Sequence, residues 1–393
     1  MKFQLAEMNN KIIFSEICNL IEREFYSFEY RNIEWDKLKL KYFRRLESDI
    51  TQDVFEIVSE LLTEIGDPHT KLSRKNEFIS PVGIVLIDNK YYVGFNFLKD
   101  SKVEVGMELV DINNVRIEDY ENKLRKKYKN ISRNLIASKV IESITSSYKK
   151  EKFILKFLDN KKIEFNIEFY LYHIQDFITL CNEKNNLNEE KKINIEKIYD
   201  KTLYLNIPTF MEKNISERVI KSIKKNKNCS NLVIDIRNNL GGYIEETKKF
   251  TSLFINEDQV ICYEETVNGV SELVVNKGTE FLTDKFKKII ILCNEFTGSS
   301  AEFIFIKALK GRYNNVIIIG SETIGLPHKA KEFTLFNNNK MYITTTLYKD
   351  NNNFILEKGI APDFEVKNDL SLLYNKVDKQ LMYALSICGG KSE

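Results

Sequence analysis

Apolar positions near the start of this chain recur every three to four residues. Ile12, Ile13, Ile17, Leu20, Ile21 and Phe25 fall on one face of a helix, and a second apolar face runs from Val54 to Ile65. The pattern predicts helices over residues 10–62, ending at the breaker Gly66-Asp67-Pro68. Strand-like runs follow at 82–87, 91–95 and 105–115. A helix-compatible insertion covers 120–148, and the runs 153–157 and 163–167 read as a closing hairpin. Beyond a polar, charged loop at 182–197, strands and helices alternate. Strands are predicted at 203–207, 232–236, 289–293 and 316–319, and helices at 215–224, 245–254 and 301–309. Such alternation implies an α/β layer with parallel strands. The expected organisation is a helical region over 1–78, a second unit over 79–175 and an α/β core over 176–393.

Composition narrows the class. The 393 residues carry 59 basic and 57 acidic side chains, a net charge of +2, so no large field draws the chain to nucleic acid or an anionic membrane. The opening residues contain no apolar signal-like run, and no apolar stretch reaches membrane-spanning length. Cys18, Cys181, Cys229, Cys262, Cys293 and Cys388 are scattered without metal-ligand spacing, so neither a zinc site nor a disulfide framework is expected. These features lead to the expectation of a reduced, cytoplasmic protein with no metal or cofactor and no membrane or nucleic-acid partner. Homo-oligomerisation is left open.

Candidate chemistry sits in short segments. Thr297-Gly298-Ser299-Ser300-Ala301-Glu302 joins a buried strand to a helix, the setting in which a serine hydroxyl is exposed beside backbone N–H groups. The same residues also fit a plain helix capping box, S-x-x-E. Gly241-Gly242 could bring backbone N–H groups up to a substrate carbonyl oxygen, or could simply supply a turn. In the first case Asp235, Arg237 and Asn238 would brace the loop. Of the three histidines, His69 follows Asp67-Pro68, while His173 and His328 compete with it as base. A base also needs an orienting partner, and Glu357 is the candidate.

Taken in order, Gly66-Asp67-Pro68-His69-Thr70, Asp235-Ile236-Arg237-Asn238-Asn239-Leu240-Gly241-Gly242, Thr297-Gly298-Ser299-Ser300-Ala301-Glu302 and Glu357-Lys358-Gly359-Ile360-Ala361-Pro362-Asp363 resemble the C-terminal processing protease and tricorn family of serine peptidases. The resemblance implies Ser299 as nucleophile, His69 as base and Glu357 as its orienting group. It further implies an oxyanion hole from the N–H groups of Ser300 and of Gly241 or Gly242, and a crotonase-like core of ββα units. The processing-protease branch uses a lysine after the serine. Here leucine stands at that place, in Gly325-Leu326-Pro327, with Lys329 and Lys331 out of register, which favours the His-based, tricorn-like branch. Residues 80–171 resemble a degenerate PDZ domain in which Gly83 and Ile84 would hold a peptide. The implied substrates are peptides or unfolded protein segments. A catalytically inactive peptide-binding relative, a Ser–Lys variant using Lys329 and a crotonase-like acyl-thioester enzyme remain as alternatives.

Overall fold

The computed structural model describes residues 2–26, 28–48, 52–73, 77–98, 101–128, 131–183, 196–335, 339–350 and 358–389. Three helices open the chain: α1 (Lys2–Glu24), α2 (Trp35–Ser48) and α3 (Val54–Ile65). Asp53 caps α3 by accepting from the Phe55 N–H, and Gly66 ends it in the left-handed region at φ 69°. The buried stripe of α3 packs with Met341, Ile343 and Leu347, from the other end of the chain. The short strand Lys71–Ser73 also pairs antiparallel with Lys340–Lys349. The helical region predicted over 1–78 therefore shares its core with the C-terminal sheet.

The second unit is an antiparallel sheet in the order Val82–Ile87, Lys90–Asn96, Glu108–Ile112, Lys152–Leu158, Glu164–Tyr170. In Lys152–Leu158 alternate residues are buried, the period-two signature of a sheet with one wet face. The predicted helical insertion is two helices, α4 (Ile117–Lys127) and α5 (Arg133–Thr145). Through Ala137, Val140 and Ile144, α5 joins the apolar core built on Val82, Ile84 and Leu86. A further helix, α6 (Ile174–Glu183), leaves this unit.

The third unit holds the predicted parallel layer. Thr202–Asn206, Asn231–Asp235, Lys288–Cys293, Val316–Gly320 and Phe364–Glu365 pair parallel in that order, and Glu196–Tyr199 adds antiparallel at one edge. Leu232, Ile234, Ile289 and Ile291 face one buried layer, while Val233, Ile290 and Leu292 face another. Burial on both faces explains why these strands read as continuous apolar runs. Helices α7 (Ile215–Lys225) and α8 (Ile244–Ser252) belong to the same unit.

A second sheet in this unit has no counterpart in the sequence reading. It combines Lys71–Ser73, Gln259–Thr266, Gly269–Val275, His328–Thr334 and Lys340–Lys349. The first four residues of Gly269–Val275 are exposed on both faces, and burial alternates only over its last three, Leu273 to Val275.

Candidate active site

Ser299 sits where the central strand Lys288–Cys293 turns into a π-helical segment, Ala301–Ile306. Its φ is 53°, a left-handed conformation that costs an L-residue with a Cβ roughly 1–2 kcal/mol. The surroundings hold it there. The Ser299 N–H donates to Glu302 Oε1 at 3.1 Å, and the Glu302 and Phe303 N–H groups both donate to the Ser299 carbonyl at 3.0 Å. Just upstream, the Gly298 N–H donates to Asn239 O, the Thr297 hydroxyl donates to Ile236 O, and Ile324 N–H donates to Thr297 O. Ser300, by contrast, is fully buried, and its Oγ accepts from the Thr247 hydroxyl at 2.9 Å. Ser299 is half-buried and its hydroxyl has no hydrogen-bond partner among the described residues, so the two neighbouring serines are distinguished by their surroundings.

Glu302 does what a capping-box glutamate does, reaching back to the first N–H of the turn, and then more. It is 3% exposed and also accepts from the Thr323 hydroxyl at 2.6 Å, the Gly325 N–H at 3.0 Å and the Leu326 N–H at 2.6 Å. Burial pushes its carboxyl up, against the pull of these four donors, to about 7. The sequence showed this residue only as a cap. Nothing in its spacing indicated that a loop twenty residues on would close over it.

The glycine pair lies against the serine turn. A Cβ on Gly241 would come within 2.8 Å of Ser300 N and 3.0 Å of Ser299 Cβ, and its φ is 84°. The Gly241 N–H, however, already donates to Asn239 Oδ1 at 2.8 Å. Its contribution here is therefore an open face in front of the Ser300 N–H, not a donor. Gly242 has φ 154°, and a Cβ there would meet the backbone of Phe210 and Met211. Asp235, Arg237 and Asn238 brace this loop. Arg237 Nε donates to Asp235 Oδ1 at 2.9 Å, Arg237 Nη1 to Asp378 Oδ1 at 2.8 Å, and the Asn238 N–H to Asn294 Oδ1 at 2.8 Å. Beside Gly242 a cleft of about 620 Å³ opens, lined among others by Tyr243, Leu273, Val274, Glu264, Glu272 and Lys329.

His69 is set by Asp67, whose Oδ1 accepts from the His69 N–H at 3.0 Å, the Thr70 N–H at 2.8 Å and the Thr344 hydroxyl at 2.5 Å. Burial lowers the imidazole to about 4; Asp67 opposes the shift, while Lys139 and Lys71 add to it. The ring is thus neutral at pH 7, and its buried Nε2 has no hydrogen-bond partner among the described residues. The His69 and His328 rings lie 6.3 Å apart. His328 is two residues beyond Leu326, whose N–H bonds Glu302, so a series of contacts leads from His69 through His328 to the serine turn. No hydrogen bond joins them among the described residues.

The competing groups are placed differently. His328 Nε2 faces Arg31 Nη2 at 3.2 Å, and Arg31 Nη2 also lies 3.5 Å from Asp67 Oδ2. A guanidinium only donates, so that imidazole lone pair is occupied. Burial, reinforced by Arg31 and opposed by Asp67, brings His328 down to about 3. This Arg31–Asp67–His328 cluster had no signal in the sequence, since its members lie up to 297 residues apart. His173 packs edge-on against Phe78 in the second unit, with its Nδ1 accepting from the Gln175 N–H. Lys329 points into the cleft, 3.8 Å from Glu264. Glu357 lies outside the described residues, although Gly359 and Ile360 just beyond it pack on Thr323, whose hydroxyl accepts from the Ile360 N–H at 2.7 Å. Gly83 and Ile84 lie on Val82–Ile87, the terminal strand of its sheet. The Phe95 ring covers Gly83, and Ile84 is buried in the core of that unit.

Known proteins share parts of this sequence and its fold. Residues 201–366 match Peptidase family S41. The carboxy-terminal processing protease CtpA of Bacillus subtilis (strain 168) is 27% identical over 197 residues, covering 48% of this chain and 41% of that protein. A probable CtpA-like serine protease of Staphylococcus aureus (strain N315) is 26% identical over 204 residues, covering 48% and 40%. The match thus spans about four tenths of the length of these relatives. Among solved structures, mature CPAF covers 99% of both chains at TM-score 0.72 and 13% identity. The photosystem II D1 C-terminal processing protease covers 98% of both at TM-score 0.60 and 13% identity. Residues 201–366 thus form a peptidase family S41 domain, and the chain is similar in sequence to C-terminal processing proteases. Including the two units that precede the domain, the described chain follows the fold of mature CPAF and of the D1 C-terminal processing protease.

Proposed function

We propose that this chain is a serine peptidase that cleaves peptides or unfolded protein segments through an acyl-enzyme on Ser299. The observation that carries the reading is the left-handed Ser299, held in a strained turn by a buried carboxylate while its neighbour Ser300 is sealed in the core. Backbone strain maintained by several independent hydrogen bonds is characteristic of functional turns.

In the reaction, Ser299 Oγ attacks the scissile carbonyl and gives its proton to His69. The neutral imidazole is the form a base requires. The N–H of Ser300, at the head of its helix, and that of Gly242 hold the developing oxyanion. His69 then protonates the leaving amine, and water releases the acyl group. Glu357 supplies the partner for the second imidazole nitrogen. The cleft beside Gly242 admits the chain to be cut. Gly83 and Ile84 lie on a strand that is terminal in its sheet among the described residues, and substrate adds beside it as a further strand.

The test is to incubate wild type and Ser299→Ala with a mixed peptide library and an unfolded protein. Cleavage by wild type, absent in Ser299→Ala of equal thermal stability, is expected. Equal cleavage by both, or none by folded wild type, contradicts the reading; the second result would favour a non-catalytic peptide binder.

A further inference from the structure

The loop 322–326 that closes over Glu302 is gripped from its far side by one turn of α5, which belongs to a different unit of the fold. Asn134 Nδ2 donates to the carbonyls of Glu322 at 2.9 Å and Thr323 at 3.1 Å. The Ser132 hydroxyl donates to the carbonyl of Ile324. Leu135 packs against Ile324 and Leu326. Three successive carbonyls are therefore held outward by side chains of this turn.

A trans peptide is planar, so its C=O and the following N–H point in opposite directions. Holding the Thr323 carbonyl on Asn134 aims the Ile324 N–H at the Thr297 carbonyl, in the serine turn, at 2.9 Å. Holding the Ile324 carbonyl on Ser132 likewise aims the Gly325 N–H at Glu302 Oε2 at 3.0 Å. Glu302 in turn holds the Ser299 N–H. Two rigid peptide planes thus connect α5 to the strained turn.

We propose that Ser132 and Asn134 are positioning residues for the nucleophile, acting through these two peptide planes. The proposal rests on the assignment of Ser299 above. Without the grip from α5 the planes can rotate, Glu302 loses a donor, and Ser299 leaves the orientation from which it attacks. An error of about 1 Å in such a group lowers rates by as much as roughly 100-fold.

Ser132 is also the N-cap of α5, accepting from the Leu135 N–H, so the variants must separate capping from positioning. Ser132→Asp keeps a good cap but cannot donate to Ile324 O, whereas Ser132→Thr keeps both functions. The readout is the second-order rate at which a fluorophosphonate modifies the full-length chain, mapped by mass spectrometry, with kcat and KM on a cleaved peptide beside it. Ser132→Asp and Asn134→Ala are expected to slow modification of Ser299 by about 10- to 100-fold. In both, kcat should fall while KM and the melting temperature hold, and Ser132→Thr should react at close to the wild-type rate. Modification of folded Ser132→Asp and Asn134→Ala within twofold of wild type would overturn the proposal. A slow Ser132→Thr that melts at the wild-type temperature would do the same. If wild type itself is modified elsewhere than Ser299, the nucleophile assignment fails first and this proposal falls with it.

Discussion

The amide of Ser299 is bound by the carboxylate of Glu302, three residues later, at 3.1 Å, and that bond helps keep the serine at φ 53°. A serine carried on an open turn would relax to an ordinary conformation. Here its N–H, its carbonyl and the flanking Gly298 and Thr297 are all engaged, while its hydroxyl has no partner among the described residues.

Glu302→Gln should therefore affect reactivity through geometry. The amide keeps the shape but can accept on one end only, so the four donors around it can no longer all be satisfied. Burial has raised this carboxyl to about 7, and the four donors bind its ionised form. The wild-type rate should thus rise with pH through about 7, and this limb should vanish in Glu302→Gln; a limb unchanged by the substitution would show another group to be responsible. The stability consequence has the opposite sign. A folded-state pKa above the unfolded value of about 4.3 gives a contribution that is full below the unfolded pKa and is lost as pH rises through about 7.

His69 and His328 act in the other direction. Their folded-state values, about 4 and about 3, lie below the unfolded value of 6.5. The unfolded chain binds protons that the folded chain refuses, so their contribution is full above pH 6.5 and is lost as pH falls toward 4. Urea midpoints measured across that window should drop with acid, and the drop should be shallower in His328→Gln. An equal slope in both would exclude His328 as a contributor.

Gly241→Ala should preserve the fold's secondary structure and remove activity. The new methyl would stand in front of the Ser300 N–H at 2.8 Å, on a residue whose φ of 84° already disfavours a side chain. Circular dichroism together with peptide turnover checks this, and retained turnover would argue against an oxyanion site at that place.

The parallel layer was legible because strands such as 232–236 and 289–293, buried on both faces, have no choice but to be apolar. The helices were legible from their stripes, and local residue chemistry sufficed to name Ser299, Gly241 and His69 as candidates. What stayed hidden depends on contacts across long separations. The sheet formed by 259–275 and 328–349 carries mixed faces, and Arg31 meets His328 only through the folded chain. Glu302 illustrates the boundary between the two. Its cap-like spacing to Ser299 is written in the sequence, but its burial is created by residues 323–326.

The choice of base can be decided by two substitutions. His69→Ala should lower turnover by about 10³-fold or more, as the loss of a general base does. Lys329→Ala, which removes a lysine paired with Glu264 at the cleft, should change it only several-fold. The reverse ranking would establish a Ser–Lys arrangement in place of the imidazole.

The nucleophile itself is tested most directly by fluorophosphonate modification followed by peptide mass mapping. One phosphonyl group per folded chain, located on Ser299, absent in Ser299→Ala and retained in Ser300→Ala, is the expected result. Folded wild type that remains unmodified, or a group found on any residue other than Ser299, would contradict the account.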